Sequence, residues 1–196
     1  MMDTLIELDQ SIFLYLNNLG STRFDTLWLI ITNKWASIPL YLLLIYLLFK
    51  NFGVKQTVIT LLVVALMITL TDQLSYAVKH SVMRLRPCGE PRLEGLGRFV
   101  AECGSYGYFS GHATSSFALA IFLGLIFKNH YKYSFTALII WALLVSYSRI
   151  YVGVHYPGDV LTGMLVGTTI GTGCYYLNKF AQKKYKSLKT DSLSQN

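Results

Sequence analysis

Charge is what this chain has least of. Only 14% of its 196 residues are Asp, Glu, Lys or Arg, against about 25% in a soluble domain. That scarcity excludes an ordinary water-soluble surface, and with 53% hydrophobic residues it implies a chain built for a non-aqueous solvent. Acid is the scarcer sign, ten Asp and Glu against 17 Lys and Arg, for a formal net charge of +7. No cluster of carboxylates or cysteines is available to hold Mg²⁺ or Zn²⁺, so no metal or other cofactor is expected. A basic n-region is also missing. The N-terminus carries Asp3, Glu7 and Asp9, so no cleaved signal peptide is expected. The basic excess has no aromatic-interleaved surface of the kind that would bind nucleic acid. Its lysines lie at the ends of apolar runs and in the tail (Lys179, Lys183, Lys184, Lys186, Lys189), where anionic lipid headgroups are the expected partner.

What is there is a series of long apolar runs. A membrane-spanning helix needs about 20 mostly apolar residues, and five segments approach that: Trp35 to Phe49, Gln56 to Val78, His112 to Phe127, Ser134 to Ser148 and Val160 to Asn178. The expected fold is an all-α, polytopic transmembrane bundle forming one domain over 1–196, with a basic tail at 179–196. Lys50 and Lys55 join the first two spans, Lys128 and Lys132 the next pair, and the lysine-rich tail follows the last. All three lie on one side, which the positive-inside rule makes cytoplasmic. Residues 1–31 read as amphipathic helices on the outer membrane surface, interrupted at Asn17-Asn18-Leu19-Gly20-Ser21. The alternative is a sixth span from Ile12 to Ile31, against which Arg23 and Asp25 count. Gly163, Gly167 and Gly171 in the last span have the spacing that lets membrane helices approach closely. Packing within the bundle is expected of them, with a homodimer as the alternative.

Three clusters of chemistry fall on the side opposite the lysine loops. Lys79 and Arg86-Pro87 offer a point charge and a planar fork to phosphate oxygens. Ser110-Gly111-His112 opens the third span, where unpaired helix amides favour an anion and glycine lets the backbone approach it. Ser148-Arg149 ends the fourth span, and His155 precedes Asp159 by four residues, so that the carboxylate can fix the imidazole tautomer. Taken singly, each has a plain reading as well: snorkelling cations, a helix cap, interfacial polar residues. Arg84 is read as such an anchor and left outside the site. Asp72 lies inside a span, two turns before Lys79 on the same face; an intramembrane carboxylate is costly and is paired or functional. It is read as a structural partner or as a group supporting a cation of the site.

Together, Lys79-x6-Arg86-Pro87, Ser110-Gly111-His112 and Ser148-Arg149-x5-His155-x3-Asp159 closely resemble the three-part signature of the type 2 phosphatidic acid phosphatase (PAP2) superfamily. The resemblance covers Leu66 to Gly171. It implies a metal-independent lipid phosphatase in which Lys79, Arg86, Ser110, the Gly111 amide and Arg149 hold the phosphate. His155 attacks, Asp159 orients it and His112 is the general acid. The related vanadate-dependent haloperoxidases are soluble, so the apolar spans favour the lipid branch. The family has proline before Ser-Gly-His and this chain has Phe109, which loosens that turn or packs against an acyl chain. The motifs hold only the phosphate, which leaves the substrate open. Undecaprenyl pyrophosphate stands first, phosphatidic acid, phosphatidylglycerol phosphate and lipid A are the alternatives, and transfer to a second lipid is an alternative reaction. A plasma-membrane protein with an extracytoplasmic site is implied. The segment 86–108, with five glycines and two prolines, reads as a lid or headgroup-reading loop. Cys88 and Cys103 flank it and can bridge in an oxidising compartment; Cys174 reads as inert packing.

Overall fold

The computed structural model describes residues 2–194, with side chains for 4–187; Lys189's side chain and the last two residues of the basic tail lie outside the described residues. Apart from short 3-10 turns and one isolated bridge between Leu85 and Tyr106, the regular structure among the described residues is six α-helices. They are Met2–Asn18 (α1), Thr22–Thr32 (α2), Ile38–Val82 (α3), Gly111–Phe127 (α4), Ser134–Tyr151 (α5) and Pro157–Ser194 (α6).

As one straight rod, the 45 residues of α3 would measure about 68 Å at 1.5 Å per residue. Yet Ser37 at its start and Lys79 near its end line the same cavity. The reversal is at Gly53, whose φ of 71° and ψ of 175° interrupt the helix. Nothing lies within 4 Å of a Cβ placed there, so glycine is needed for its conformation and not for space. α3 is therefore two antiparallel limbs, with Lys50 and Lys55 flanking the turn. With α4, α5 and α6 this gives five apolar limbs, matching the five segments expected. The helices covering 34–82, 134–151 and 157–187 are long and apolar enough to cross a membrane, and α4 is a shorter apolar helix among them.

α4 is the centre. Ala113, Ala118, Ala120, Phe122 and Phe127 are all fully buried, as a helix apolar all round must be. Leu44 and Leu48 from one limb of α3 and Val63 and Met67 from the other join α4 and Leu138 and Ala142 of α5 in one core. The closest seam is with α6. A Cβ on Gly163, Gly167 or Gly171 would lie 2.6, 2.3 and 2.5 Å from the carbonyl oxygens of Ser110, Thr114 and Ala118. Both helices advance by four residues per contact, so the glycine stripe serves packing inside the bundle.

α1 lies against this bundle. Phe13 and Asn17 are fully buried, while Leu5, Leu8, Ile12 and Tyr15 are exposed on the other side. The Asn17 amide nitrogen lies within 3.0 Å of the carbonyl oxygens of Arg98, Ile150 and Tyr151, and its Oδ1 accepts from Arg98 N at 2.6 Å. The stretch from Ile12 to Ile31 is not one continuous helix, since α1 ends at Asn18 and α2 starts at Thr22. Arg98 and Tyr151 hold Asp25, at 2.6 and 3.0 Å. α6 outruns the expected end at Asn178, since no Gly or Pro follows Gly173 and the Lys, Gln, Leu and Ala of the tail are good helix formers.

The seam gives a direct test. Gly167→Leu forces α4 and α6 apart and is expected to destabilise by roughly 1–3 kcal/mol or more, read as lost thermal stability in detergent. Gly173→Ala, with open space at its Cβ, is expected to be neutral or slightly stabilising.

Candidate active site

One end of the bundle gathers the chemistry, and apart from Arg86, which comes from the 86–108 loop, its groups lie at or beside the ends of helices. The second limb of α3 finishes there with Lys79, α4 begins with Gly111-His112, α5 finishes with Arg149, and α6 begins just after His155. Six of the residues singled out from the sequence, Lys79, Arg86, Gly111, His112, Arg149 and His155, line one cavity of about 690 Å³. Asp72 and Ser75 lie on its wall, and Leu44, Leu48, Leu123 and Trp141 line its apolar depth. Polar cations at one end and a greasy interior at the other suit a molecule with an anionic head and a hydrocarbon body.

His155 is the candidate nucleophile by position. Its Nδ1 lies 3.4 Å from Asp159 Oδ2, and the ring is 1% exposed. With Nδ1 so engaged, Nε2 is the nitrogen left for a phosphorus atom in the cavity. Burial pushes the imidazole down to about 4, against the pull of Asp159, which raises it. The ring is therefore the neutral base near pH 7. Asp159 is fully buried and also accepts from Tyr156 N at 3.1 Å.

Asp159 has a partner that the sequence reading left out. Arg84 donates Nη1 to Asp159 Oδ1 at 2.9 Å and Nη2 to Asp9 Oδ2 at 2.7 Å, with its guanidinium 4.1 Å from the Tyr156 ring. Burial would lower its pKa, but the two carboxylates outweigh that and hold it above its ordinary value. Arg84 is thus not a snorkelling anchor. It compensates a carboxylate that would otherwise be buried uncompensated at large cost. Lys34 is a second cation the sequence reading passed over, on the cavity wall from the turn after α2.

The other groups take distinct places. Gly111 admits the backbone closely: a Cβ would lie 3.0 Å from Ser75 Oγ and 3.8 Å from Lys79 Nζ. Ser110 is fully buried, and its hydroxyl caps α4 by accepting from Ala113 N at 3.4 Å. It is not among the residues lining the cavity. Arg86 Nε donates to Tyr106 O at 3.1 Å, and the residue lines the cavity. Arg149 bonds Thr32 Oγ1 through Nη1, and its buried Nε has no partner. A guanidinium donor with no protein partner beside a cavity is available to a polar group that enters it. Phe109 is 3% exposed and lies away from the cavity, so it packs in the protein and offers no acyl contact there. The 86–108 loop is fastened: Cys88 and Cys103 are bonded, Gly107 N donates to Arg84 O, and Val100 N to Val152 O. Of this loop, only Arg86 lines the cavity. Cys174 is buried and unpaired. Among the described residues, no three His, Cys, Asp or Glu gather as a metal site.

Two outcomes follow for phosphate release from a lipid phosphate. Arg84→Gln is expected to slow turnover by about tenfold or more, through the orientation of His155, with little change in KM because Arg84 does not line the cavity. The acid limb of kcat/KM set by His155 is expected near pH 4, well below the ordinary 6.5. Asp159→Asn removes the group that raises His155, so this limb should move lower still in the residual activity. A limb near 6.5 that stays fixed in Asp159→Asn would refute the placement of His155.

Comparison with known proteins bears on the family and the fold. The family model described as the PAP2 superfamily matches residues 56–183. A lipid A 4'-phosphatase of Bacteroides thetaiotaomicron is 33% identical over 98% of this chain and 85% of its own length. An undecaprenyl-diphosphatase of Sulfolobus acidocaldarius is 48% identical over a shorter stretch, 33% of this chain and 30% of its own. Among solved structures, a transmembrane PAP2-type phosphatidylglycerolphosphate phosphatase from Bacillus subtilis superposes with a TM-score of 0.70 at 20% identity, covering 92% of this chain and 87% of that one. The bundle and the family match thus point the same way: the chain belongs to the PAP2 superfamily and is a membrane lipid phosphatase.

Proposed function

We propose that this protein removes a phosphate from lipid A or a closely related phosphoglycolipid. The observation that carries this reading is extent. Similarity to a lipid A 4'-phosphatase runs over 98% of the chain, and so includes α1 and the fastened loop. Similarity to an undecaprenyl-diphosphatase spans 33% of the chain. Undecaprenyl pyrophosphate, first in the sequence reading, therefore gives way to the glycolipid. The cavity wall supports this choice. Asp72, Ser115 and Ser116 are among the residues that line it, polar groups that amides and hydroxyls can use and a polyprenyl chain cannot.

The chemistry follows from the placements. Lys79, Arg86, Arg149 and the Gly111 amide hold the phosphate oxygens, with Ser110 shaping that turn. His155 Nε2 attacks phosphorus, the bond from phosphorus to the glycolipid oxygen breaks, and His112 gives that oxygen its proton. Water then attacks the phosphohistidine, giving a proton to His112, and the P–N bond breaks to free inorganic phosphate. Asp72 supports the Lys79 charge from two turns away. The phosphate site faces the extracytoplasmic side, because Lys50, Lys55, Lys128 and Lys132 lie at the other end of the bundle and the Cys88–Cys103 bond suits an oxidising compartment.

A purified-protein panel of lipid A, undecaprenyl pyrophosphate, phosphatidylglycerol phosphate and phosphatidic acid tests the substrate. Lipid A is expected to lead in kcat/KM by about tenfold or more, with free phosphate as product even when an acceptor lipid is added. Activity should survive EDTA and be blocked by vanadate. His155→Ala should abolish turnover on every lipid and Asp72→Asn should lower it, while Lys128→Gln stays silent. Faster release from undecaprenyl pyrophosphate would reverse the substrate assignment. For sidedness, an impermeant thiol reagent applied to intact spheroplasts after mild reduction should label Cys88 and Cys103, but not a cysteine replacing Lys128. The opposite pattern would place the reaction in the cytoplasm.

A further inference from the structure

Asp9 sits on α1, far in sequence from the three motifs, and does not line the cavity. Its carboxylate nonetheless accepts from Arg84 Nη2 at 2.7 Å and from Gly158 N at 2.8 Å. Gly158 is the second residue of α6, so its amide has no acceptor within the helix, and Asp9 provides one. The fit is close: a Cβ on Gly158 would lie 2.8 Å from Asp9 Oδ2. Asp9 also belongs to a stripe. It shares one face of α1 with Phe13 and Asn17, spaced four apart, both fully buried. Phe13 stands edge-on to Tyr156 at 5.6 Å, and Asn17 anchors the helix to α5 and the loop. The helix is thus held in three places so that its carboxylate meets Arg84 and the start of α6.

We propose that Asp9 is a positioning residue of the hydrolysis. It fixes the Arg84 fork and the first turn of α6, and through them the Asp159 carboxylate that orients His155. Arg84 lies between two carboxylates and gives one nitrogen to each. Without the Asp9 charge, its freed Nη2 has Asp159 as the nearest anion, and a second bond there draws the carboxylate toward Arg84. The His155–Asp159 contact is already long at 3.4 Å, so a small displacement is enough to release the imidazole. Substrate binding is untouched, because neither Asp9 nor Arg84 lines the cavity. This inference rests on the phosphatase chemistry of His155 and Asp159 and is independent of which lipid is bound.

The test uses the full chain in lipid nanodiscs with two probes, lipid A turnover and orthovanadate affinity by titration calorimetry. Asp9→Asn is expected to lower kcat about tenfold with KM within twofold, and to weaken vanadate by a similar factor. The acid limb of the pH profile should move down, as the influence of Asp159 on His155 is lost. Combined with Arg84→Gln, it should cost nothing beyond Arg84→Gln alone, because the two act in one chain of contacts. Wild-type kcat and vanadate affinity in Asp9→Asn, a change in KM alone, or multiplying losses in the double variant would each overturn the proposal. If Asp9→Asn folds poorly, Asp9→Glu decides, keeping the charge but moving it one methylene outward. Lowered kcat with KM unchanged supports the proposal, and wild-type kcat overturns it. Vanadate needs no lipid, so a wild-type protein that binds vanadate and leaves lipid A intact fails the substrate reading alone.

Discussion

The bonding of the Asp159 carboxylate, fully buried at the foot of α6, is the constraint around which the rest is arranged. Its side chain meets Arg84 from the first motif, His155 from the third, and the Tyr156 amide. Its backbone carbonyl accepts from Ser110 N of the second motif at 3.0 Å. One residue thus ties all three motifs together. Such a charge is tolerable away from water only when compensated and hydrogen-bonded. Gly107 is part of that accommodation, for a Cβ there would lie 3.1 Å from Asp159 Oδ2 and 3.2 Å from Arg86 Cγ. The bridge between Leu85 and Tyr106 and the Cys88–Cys103 bond hold the chain that carries Arg84 and Arg86 in place.

The sequence was most legible where function coincides with the ends of apolar runs. Lys79, Gly111, His112 and Arg149 line one cavity, and the sequence draws them together because a run's end marks a membrane level and all four sit at such ends. The glycines at 163, 167 and 171 were legible for the same kind of reason: their period of four is the helix's own. The break between α1 and α2 was legible in the polar and glycine run Asn17-Asn18-Leu19-Gly20-Ser21.

Arg84 was misjudged because a cation at the end of a span has a common alternative use, and only its distance to Asp159 separates the two. Ser110 shows the converse. Its motif is read as phosphate binding, whereas its hydroxyl serves the backbone of α4. Asp9, Phe13 and Asn17 left no local trace, since what they touch lies 75 to 149 residues away. The lipid's identity was illegible because the motifs address phosphate oxygens, which every candidate substrate shares. The polar residues of the cavity wall, Asp72, Ser115 and Ser116, are dispersed over two helices and form no motif.

The apolar depth of the cavity has a kinetic consequence. A substrate whose body rests between Leu44, Leu48 and Leu123 need never leave the bilayer to react. Encounter is then a two-dimensional search, governed by the number of substrate molecules per unit area of membrane. Diluting the substrate with inert lipid slows the reaction at constant bulk concentration, and adding more membrane of the same composition does not restore it. The freed phosphate departs into water while the dephosphorylated lipid stays in the plane. Product inhibition therefore builds up by surface fraction, and the enzyme's effective output is set by how quickly the membrane carries its product away.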